Sequence, residues 1–312
     1  MEGKKKNLGI DIGGTKVNLG VVDECGNVLF STRMQTDAKK EPELLIAEIA
    51  EKAKNLLEQN SMKLADVEFI GAGVPGTADV HTGLVSYCPN LSWYDVPAGA
   101  YFRKYLGREV RVAQDSRNAA LAELLFGAGR GYSDILCLTV GTGIGAGIII
   151  NKKIFNGGMN TAGELGHTPI VKDGAECICG NSGCLERYAS GNGMTRLALE
   201  RFPDKFEGME KKCESIFELA YAGDQEICAF LDECIDNLAF GIANAVNLLS
   251  PEAVIISGGL CEHEKLFIEP LKKKIIERGY YSWTRLNRLW ICKAALGSDA
   301  PMIGAAMLYQ GI

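Results

Sequence analysis

Residues 7–30 read NLGIDIGGTKVNLGVVDECGNVLF, and residues 135–155 read ILCLTVGTGIGAGIIINKKIF. Each begins with an apolar, β-rich run, turns through glycines and returns in a second apolar run. A polar turn and a third short run follow. Runs of this kind bounded by turn residues are strands of a hairpin. The turn glycines are expected to supply positive φ and to let a ligand approach the backbone closely. Either hairpin alone reads as readily as an ordinary tight turn. Their repetition predicts two similar domains, each opening with a glycine turn of phosphate size.

The sequence between and beyond them alternates strands with helices, the grammar of an α/β chain. EPELLIAEIAEKAKNLLEQN, from Glu41, spaces Leu45, Ile49, Ala53 and Leu56 at helical intervals, and Pro42 suits a first turn. VEFIGAGVPG is a buried strand running into a Gly-Pro turn. REVRVAQ is another strand, followed at once by the helix SRNAALAELLFGAG. Residues 226–249 form a long apolar helix, EAVIISGG a strand ending in two glycines, and PMIGAAMLY a closing helix that packs back on the first domain. The expected division is residues 1–115 with 300–312 as a small N-terminal domain, and 116–299 as a larger one.

The chain has 312 residues, 47% of them hydrophobic, enough for two cores. A net charge of −6 does not resemble the basic footprint of a nucleic-acid binder. The one basic run, Lys4–Lys6, reads as a solvated terminus. No stretch approaches the 18 or so apolar residues of a membrane span, and no signal peptide precedes the first strand. These features predict a cytoplasmic protein whose eleven cysteines are mostly reduced. Cys137, Cys228, Cys234 and Cys292 read as core filler.

Asp11 closes the first strand, and Gly13, Gly14, Thr15 and Lys16 follow it. Backbone N–H groups of such a turn cradle phosphate oxygens, with Thr15 and Lys16 as further donors. Gly141, Thr142 and Gly143 repeat the offer, and Gly258 and Gly259 sit after a strand, where ligands of α/β sheets lie. The spacing is neither a Walker loop nor a dinucleotide fingerprint. Three glycine turns at strand ends describe a nucleotide clamped in a cleft. Asp115 stands between the strand VRVAQ and the next helix. Asp there is a favoured N-cap. It is equally a carboxylate at the mouth of a cleft, able to accept a hydroxyl proton during phosphoryl transfer.

DIGGTK, GVPG, PNLSW, the Asp115 strand–helix turn, GTGIGAGIII, GELGH and CICGNSGCLERYASG occur in the order seen in the ROK family of sugar kinases and sugar-responsive repressors. The chain resembles that family from about residue 7 to residue 308. The resemblance implies an α/β fold of two ribonuclease-H-like domains, the actin-like ATPase and hexokinase type, with a cleft between them. It implies transfer of the γ-phosphate of ATP to a hexose, with Mg²⁺, and Asp115 as general base. It further implies sugar contacts from Gly76, Asn90, Gln114, Glu164, His167 and Glu186, and zinc ligands in His167, Cys177, Cys179 and Cys184. A homodimer or higher homo-oligomer is implied as well. Repressors of the family carry an N-terminal helix-turn-helix, for which Asp11 comes too early here. The expected acceptor is glucose. Fructose, allose, mannose, N-acetylmannosamine and N-acetylglucosamine are the alternatives, and a non-catalytic sugar-binding regulator is a further one. Three positions depart from the family pattern. Gln114 stands where Asn is common, Arg117 is a large residue expected to alter the site's rim, and Lys152 replaces a turn glycine.

Three cysteines and a histidine are a tetrahedral Zn²⁺ set, and four ligands make a closed, structural site. The tight C-x-C step is relieved by Gly180 and Gly183. A disulfide would leave one cysteine over and a reducing compartment opposes it. Glu164 and His167, three apart, share a face if their turn is helical. Glu186 follows Cys184 closely, so one ion would pin both carboxylates near hydroxyls they can bond.

Overall fold

The computed structural model describes residues 5–280, 283 and 288–311. Of the basic run, Lys4 lies outside them; Lys5 pairs with Glu68, and Lys6 already belongs to the first strand.

The chain divides into two compact units: Met1–Ser133 with Gly147–Ala162 and Ala295–Ile312, and Asp134–Ala146 with Gly163–Ala294. This boundary differs from the expected one at residue 115. The helix that starts there packs on the closing helix and so stays with the first unit.

The first unit opens with β1 (Lys6–Ile12), β2 (Lys16–Asp23) and β3 (Val28–Gln35), an antiparallel meander. Helix α1 (Pro42–Gln59) begins on Pro42 and buries Leu45, Ile46, Ile49, Leu56 and Leu57. Each such side chain contributes roughly 1.5–3 kcal/mol when fully buried. β4 (Phe69–Val74) then lies parallel to β1. A small three-stranded sheet, β5 (Thr77–Ala78), β6 (Val85–Cys88) and β7 (Trp93–Val96), interrupts the pattern. Next come α2 (Ala98–Leu106), β8 (Arg111–Gln114), parallel to β4, and α3 (Asp115–Phe126). The resulting sheet has the order β3-β2-β1-β4-β8.

The second large sheet repeats that order. It is built from β9 (Ile135–Val140), β10 (Ile144–Ile150) and β11 (Lys153–Ile154), and later β12 (Ala253–Ser257) and β13 (Trp290–Lys293), arranged β11-β10-β9-β12-β13. In both sheets the third strand in sequence is at one edge, the first is central and the fifth is at the other edge. The hairpin echo therefore marks a true structural repeat. The helices of the second unit include α4 (Glu186–Ala189), α5 (Gly191–Arg201), α6 (Cys213–Tyr221), α7 (Gln225–Leu249) and α8 (Glu269–Arg278).

The closing segment forms two short helices rather than one, α9 (Ala300–Ala306) and α10 (Leu308–Gly311). α9 returns to the first unit, as expected, and packs on β1, β4 and α3. Glycines permit the close approach. A Cβ on Gly9 or Gly71 would stand 2.0 Å from a carbonyl oxygen of α9, at Met302 and Ala305 respectively. Among the filler cysteines, Cys137 and Cys234 are buried, whereas Cys228 and Cys292 are only partly so. Lys152 does adopt the left-handed conformation a turn glycine would take, with φ +62°.

Candidate active site and metal centre

The turn between β1 and β2 is tied down from inside. Gly13 N–H donates to Lys16 O at 2.9 Å, and Thr36 donates its hydroxyl to Gly13 O at 2.8 Å and its N–H to Thr15 O at 3.0 Å. Gly13 is thus committed within the hairpin, while Thr15 and Lys16 are exposed. The same holds in the second hairpin, where Gly141 N–H donates to Gly143 O at 3.0 Å. None of Gly13, Gly14, Gly141 and Gly143 has positive φ, contrary to the expectation. Close packing explains Gly143, where a Cβ would stand 2.5 Å from Glu186 Oε2; one on Gly14 would make only ordinary contact with Asn90, at 3.5 Å. Gly258 alone among the phosphate-turn glycines is left-handed, at φ +105°.

Asp11 sits at the end of β1, opposite Asn18 on β2. Asn18 Nδ2 donates to Asp11 Oδ2 at 3.1 Å. Burial pushes the Asp11 carboxyl up, against the pull of Asn18 and of the Lys16 charge.

Asp115 is the first residue of α3, and Gln114, buried, occupies its N-cap position. The capping reading of Asp115 therefore fails by one position. Its carboxylate lies in the first helical turn, where the helix dipole favours negative charge. Glycines from neighbouring segments come close: a Cβ on Gly73 would stand 3.5 Å from Asp115 Cα, and one on Gly76 2.7 Å from Cys88. Burial, and secondarily the Asp115 charge, pushes the Cys88 thiol up to about 12. The fold thus brings both Asp115 and Gly76 close to Cys88, two residues before Asn90.

In the second unit, Glu164 precedes a 3-10 turn, Leu165–His167, and His167 N–H donates to Glu164 O at 3.0 Å. That helical turn puts the two residues on one face, as their spacing requires. The ligand atoms of His167, Cys177, Cys179 and Cys184 all lie within 4.8 Å of one another. Cys177 Sγ is 3.6 Å from His167 Nδ1, and Cys179 Sγ is 3.6 Å from Cys184 Sγ. A tetrahedron with Zn–S bonds of about 2.3 Å has edges of about 3.7 Å, so the donor set fits zinc, whereas a disulfide needs about 2.05 Å. The loop folds back on itself through Gly183, at φ +76°, where a Cβ would overlap Val171 O. Glu186 opens α4, and its Oε2 accepts from Ile144 N–H at 2.8 Å.

Three features were not legible in the sequence. Glu186 is bonded to the glycine hairpin, although it was singled out for a sugar. Glu123, fully buried, accepts from the N–H groups of Ala128, Ala295 and Leu296. Arg117 is buried rather than at a rim, and its guanidinium serves a loop of the same unit. A lone Glu or Arg inside an alanine-rich helix was the available signal for the last two.

Two sheets of one order, each opening with a glycine hairpin, define the two-domain actin-like ATPase fold. The chain belongs to the ROK family, whose sequence pattern matches residues 7–312. It is 31% identical to a glucokinase of Thermotoga maritima, the alignment covering 98% of both chains. Its structure resembles that of a ROK family glucokinase from Streptomyces griseus in complex with glucose and AMPPNP. There the TM-score is 0.82 and the identity 32%, with 97% of this chain and 98% of that one covered. It also resembles a ROK family transcriptional regulator, a homolog of E. coli MLC protein, with TM-score 0.86 and identity 25%. That match covers 98% of this chain and 79% of that one.

Proposed function

We propose that the protein transfers the γ-phosphoryl group of ATP to the 6-hydroxyl of glucose, giving glucose 6-phosphate and ADP. The observation that carries this reading is the placement of Asp115 in the first turn of α3, close to Gly73 and to Cys88, against which Gly76 packs. This occurs in a chain that matches, over nearly its full length, a kinase solved with glucose and an ATP analogue.

In this reading Asp115 accepts the 6-hydroxyl proton as that oxygen forms its bond to the γ-phosphorus. The bond from the γ-phosphorus to its bridging oxygen breaks, and ADP leaves with the electron pair. Phosphate is held by the N–H groups of Gly14 and Thr15, by Thr15 and Lys16 side chains, and by the Gly141–Gly143 and Gly258–Gly259 turns. Mg²⁺, when bound, neutralises polyphosphate charge, and Asp11 is the carboxylate we assign to it. The sugar contacts are Gly76, Asn90, Gln114, Glu164, His167 and Glu186. His167 turns Nδ1 toward the sulfur cluster, so Nε2 is the nitrogen left for a hydroxyl. Cys177, Cys179, Cys184 and His167 hold a structural Zn²⁺ that takes no part in the chemistry. A reducing, cytoplasmic setting suits these thiolate ligands. Among the described residues no helix is long and apolar enough to cross a membrane. A homodimer belongs to the same reading, and sedimentation analysis tests it.

A sugar-binding regulator is the second reading, favoured by the TM-score of 0.86 to a ROK regulator. A coupled ADP-release assay over a hexose panel decides between them. Turnover highest with glucose, reduced by about 10²–10⁴-fold in a folded Asp115→Asn variant, is the expected result. No ADP release with any hexose overturns the kinase reading. Near-wild-type turnover in the variant overturns the base.

A further inference from the structure

Arg117 lies two residues beyond Asp115, on the same helical turn, and is 1% exposed. Its Nη1 donates to Asn156 Oδ1 at 3.1 Å. Its Nη2 donates to the carbonyl oxygens of Asn160 at 2.8 Å and Ala162 at 2.9 Å. All three acceptors belong to the turn after β11. That turn has left-handed residues at Gly157 (φ +71°) and Asn160 (φ +57°) and joins no sheet ladder. Its own backbone bonds, Asn160 N–H to Gly157 O at 3.4 Å and Ala162 N–H to Asn156 O at 3.1 Å, are few. Met159 at its tip is 81% exposed. From Ala162 the chain passes through Gly163, at φ +94°, straight into Glu164.

We propose that Arg117 is a positioning residue: it clamps the 156–162 loop to the helix that carries Asp115, and so fixes the path by which the chain reaches Glu164. A planar guanidinium reaches three acceptors from one buried position, which a lysine ammonium on its flexible stem cannot reproduce. The consequence for the sugar rests on the proposed role of Glu164. A loosened loop weakens a contact made equally in ground and transition states, so KM for the sugar rises while kcat holds.

The test pairs hydrogen exchange with kinetics on the full chain. In Arg117→Met, amides of residues 157–163 exchange about tenfold faster or more, while those of β1 and β4 do not change. KM for the hexose rises about tenfold, kcat stays within about threefold, and KM for ATP is unmoved. Arg117→Lys falls between. Unchanged exchange at 157–163 in folded Arg117→Met overturns the clamp. Equal rises in both KM values, or a loss confined to kcat, overturn the link to Glu164. If Arg117→Met does not fold, Asn156→Ala removes one acceptor and leaves the arginine. Faster loop exchange supports the clamp in that variant, and an unmoved loop overturns it. If the wild type phosphorylates no hexose, the kinase reading fails, and the exchange measurement still decides on Arg117.

Discussion

Glu186 Oε2 accepts a hydrogen bond from Ile144 N–H at 2.8 Å, tying the start of α4 to the hairpin turn at Gly141–Gly143. The turn is held from a second side by α5, whose Gly191 N–H donates to Gly141 O at 2.7 Å. One carboxylate therefore supports the proposed phosphate turn with one oxygen, and in the proposed reading the other serves the sugar. Glu186→Ala is expected to raise KM for ATP and for glucose together, each by about tenfold. Glu186→Gln keeps an acceptor for Ile144 and should spare ATP more than glucose. Steady-state kinetics with each substrate varied in turn reads this; a rise in glucose KM alone would mean that the Ile144 bond is idle.

The His167–Cys177–Cys179–Cys184 cluster brings together chain segments that several backbone bonds also connect. Cys177 N–H to Asn181 O and Leu185 N–H to Thr168 O are among them. Elemental analysis of purified protein is expected to find one zinc per chain. Cys184→Ser should lose the metal and melt at a lower temperature, because structural zinc is worth on the order of 10 kcal/mol in small peptides. Full thermal stability in a zinc-free sample contradicts the assignment.

Asp11 links function to pH. Burial raises its carboxyl above the unfolded value, with Asn18 and Lys16 only partly opposing. A raised carboxyl contributes stability that is present below the unfolded pKa and lost as pH rises through the folded one. At neutral pH the raised carboxyl therefore costs the wild type stability. Asp11→Asn should melt at a higher temperature than wild type at neutral pH. The gap should close as pH falls toward the ordinary aspartate range. Its kcat/KM should fall on the order of 10²-fold, since the charge is assigned to the metal-bound polyphosphate. Calorimetry across pH, with parallel assays, checks both signs.

Glu123 satisfies three backbone N–H groups, one nearby at Ala128 just after α3 and two distant in sequence, at Ala295 and Leu296 after β13. Removing it leaves those donors without this partner. Glu123→Ala is expected to cost about 3 kcal/mol, at the upper end for single substitutions. Denaturant unfolding of folded variant and wild type measures it; a loss below about 0.5 kcal/mol would show that water replaces the carboxylate.

The repeat, the alternating order of strands and helices, and the metal set were legible because each depends on local chemistry. Apolar runs with period two or 3.6 declare strands and helices. Four potential ligands within eighteen residues, His167 to Cys184, mark a candidate metal site, and the fold brings their ligand atoms together. That the chain holds two similar domains followed from the hairpin echo at residues 7–30 and 135–155, whereas the places of β4, β8, β12 and β13 in the sheets did not. Less legible was whatever depends on residues far apart in sequence. Gly13 and Gly14 promised positive φ, but the hairpin closes without it. Asp115 promised a cap and became the first helical residue.

By itself, then, the sequence determined which segments fold and that they fold twice alike, and it nominated side chains for the chemistry proposed above. Only the tertiary structure decided what supports them. Arg117 turned out to be a buried clamp, Glu123 an acceptor for residues from beyond β13, and Glu186 a brace for a glycine turn. The physical reason is that a buried charge must find partners, and its partners are set by packing between segments that the order of residues along the chain does not place side by side.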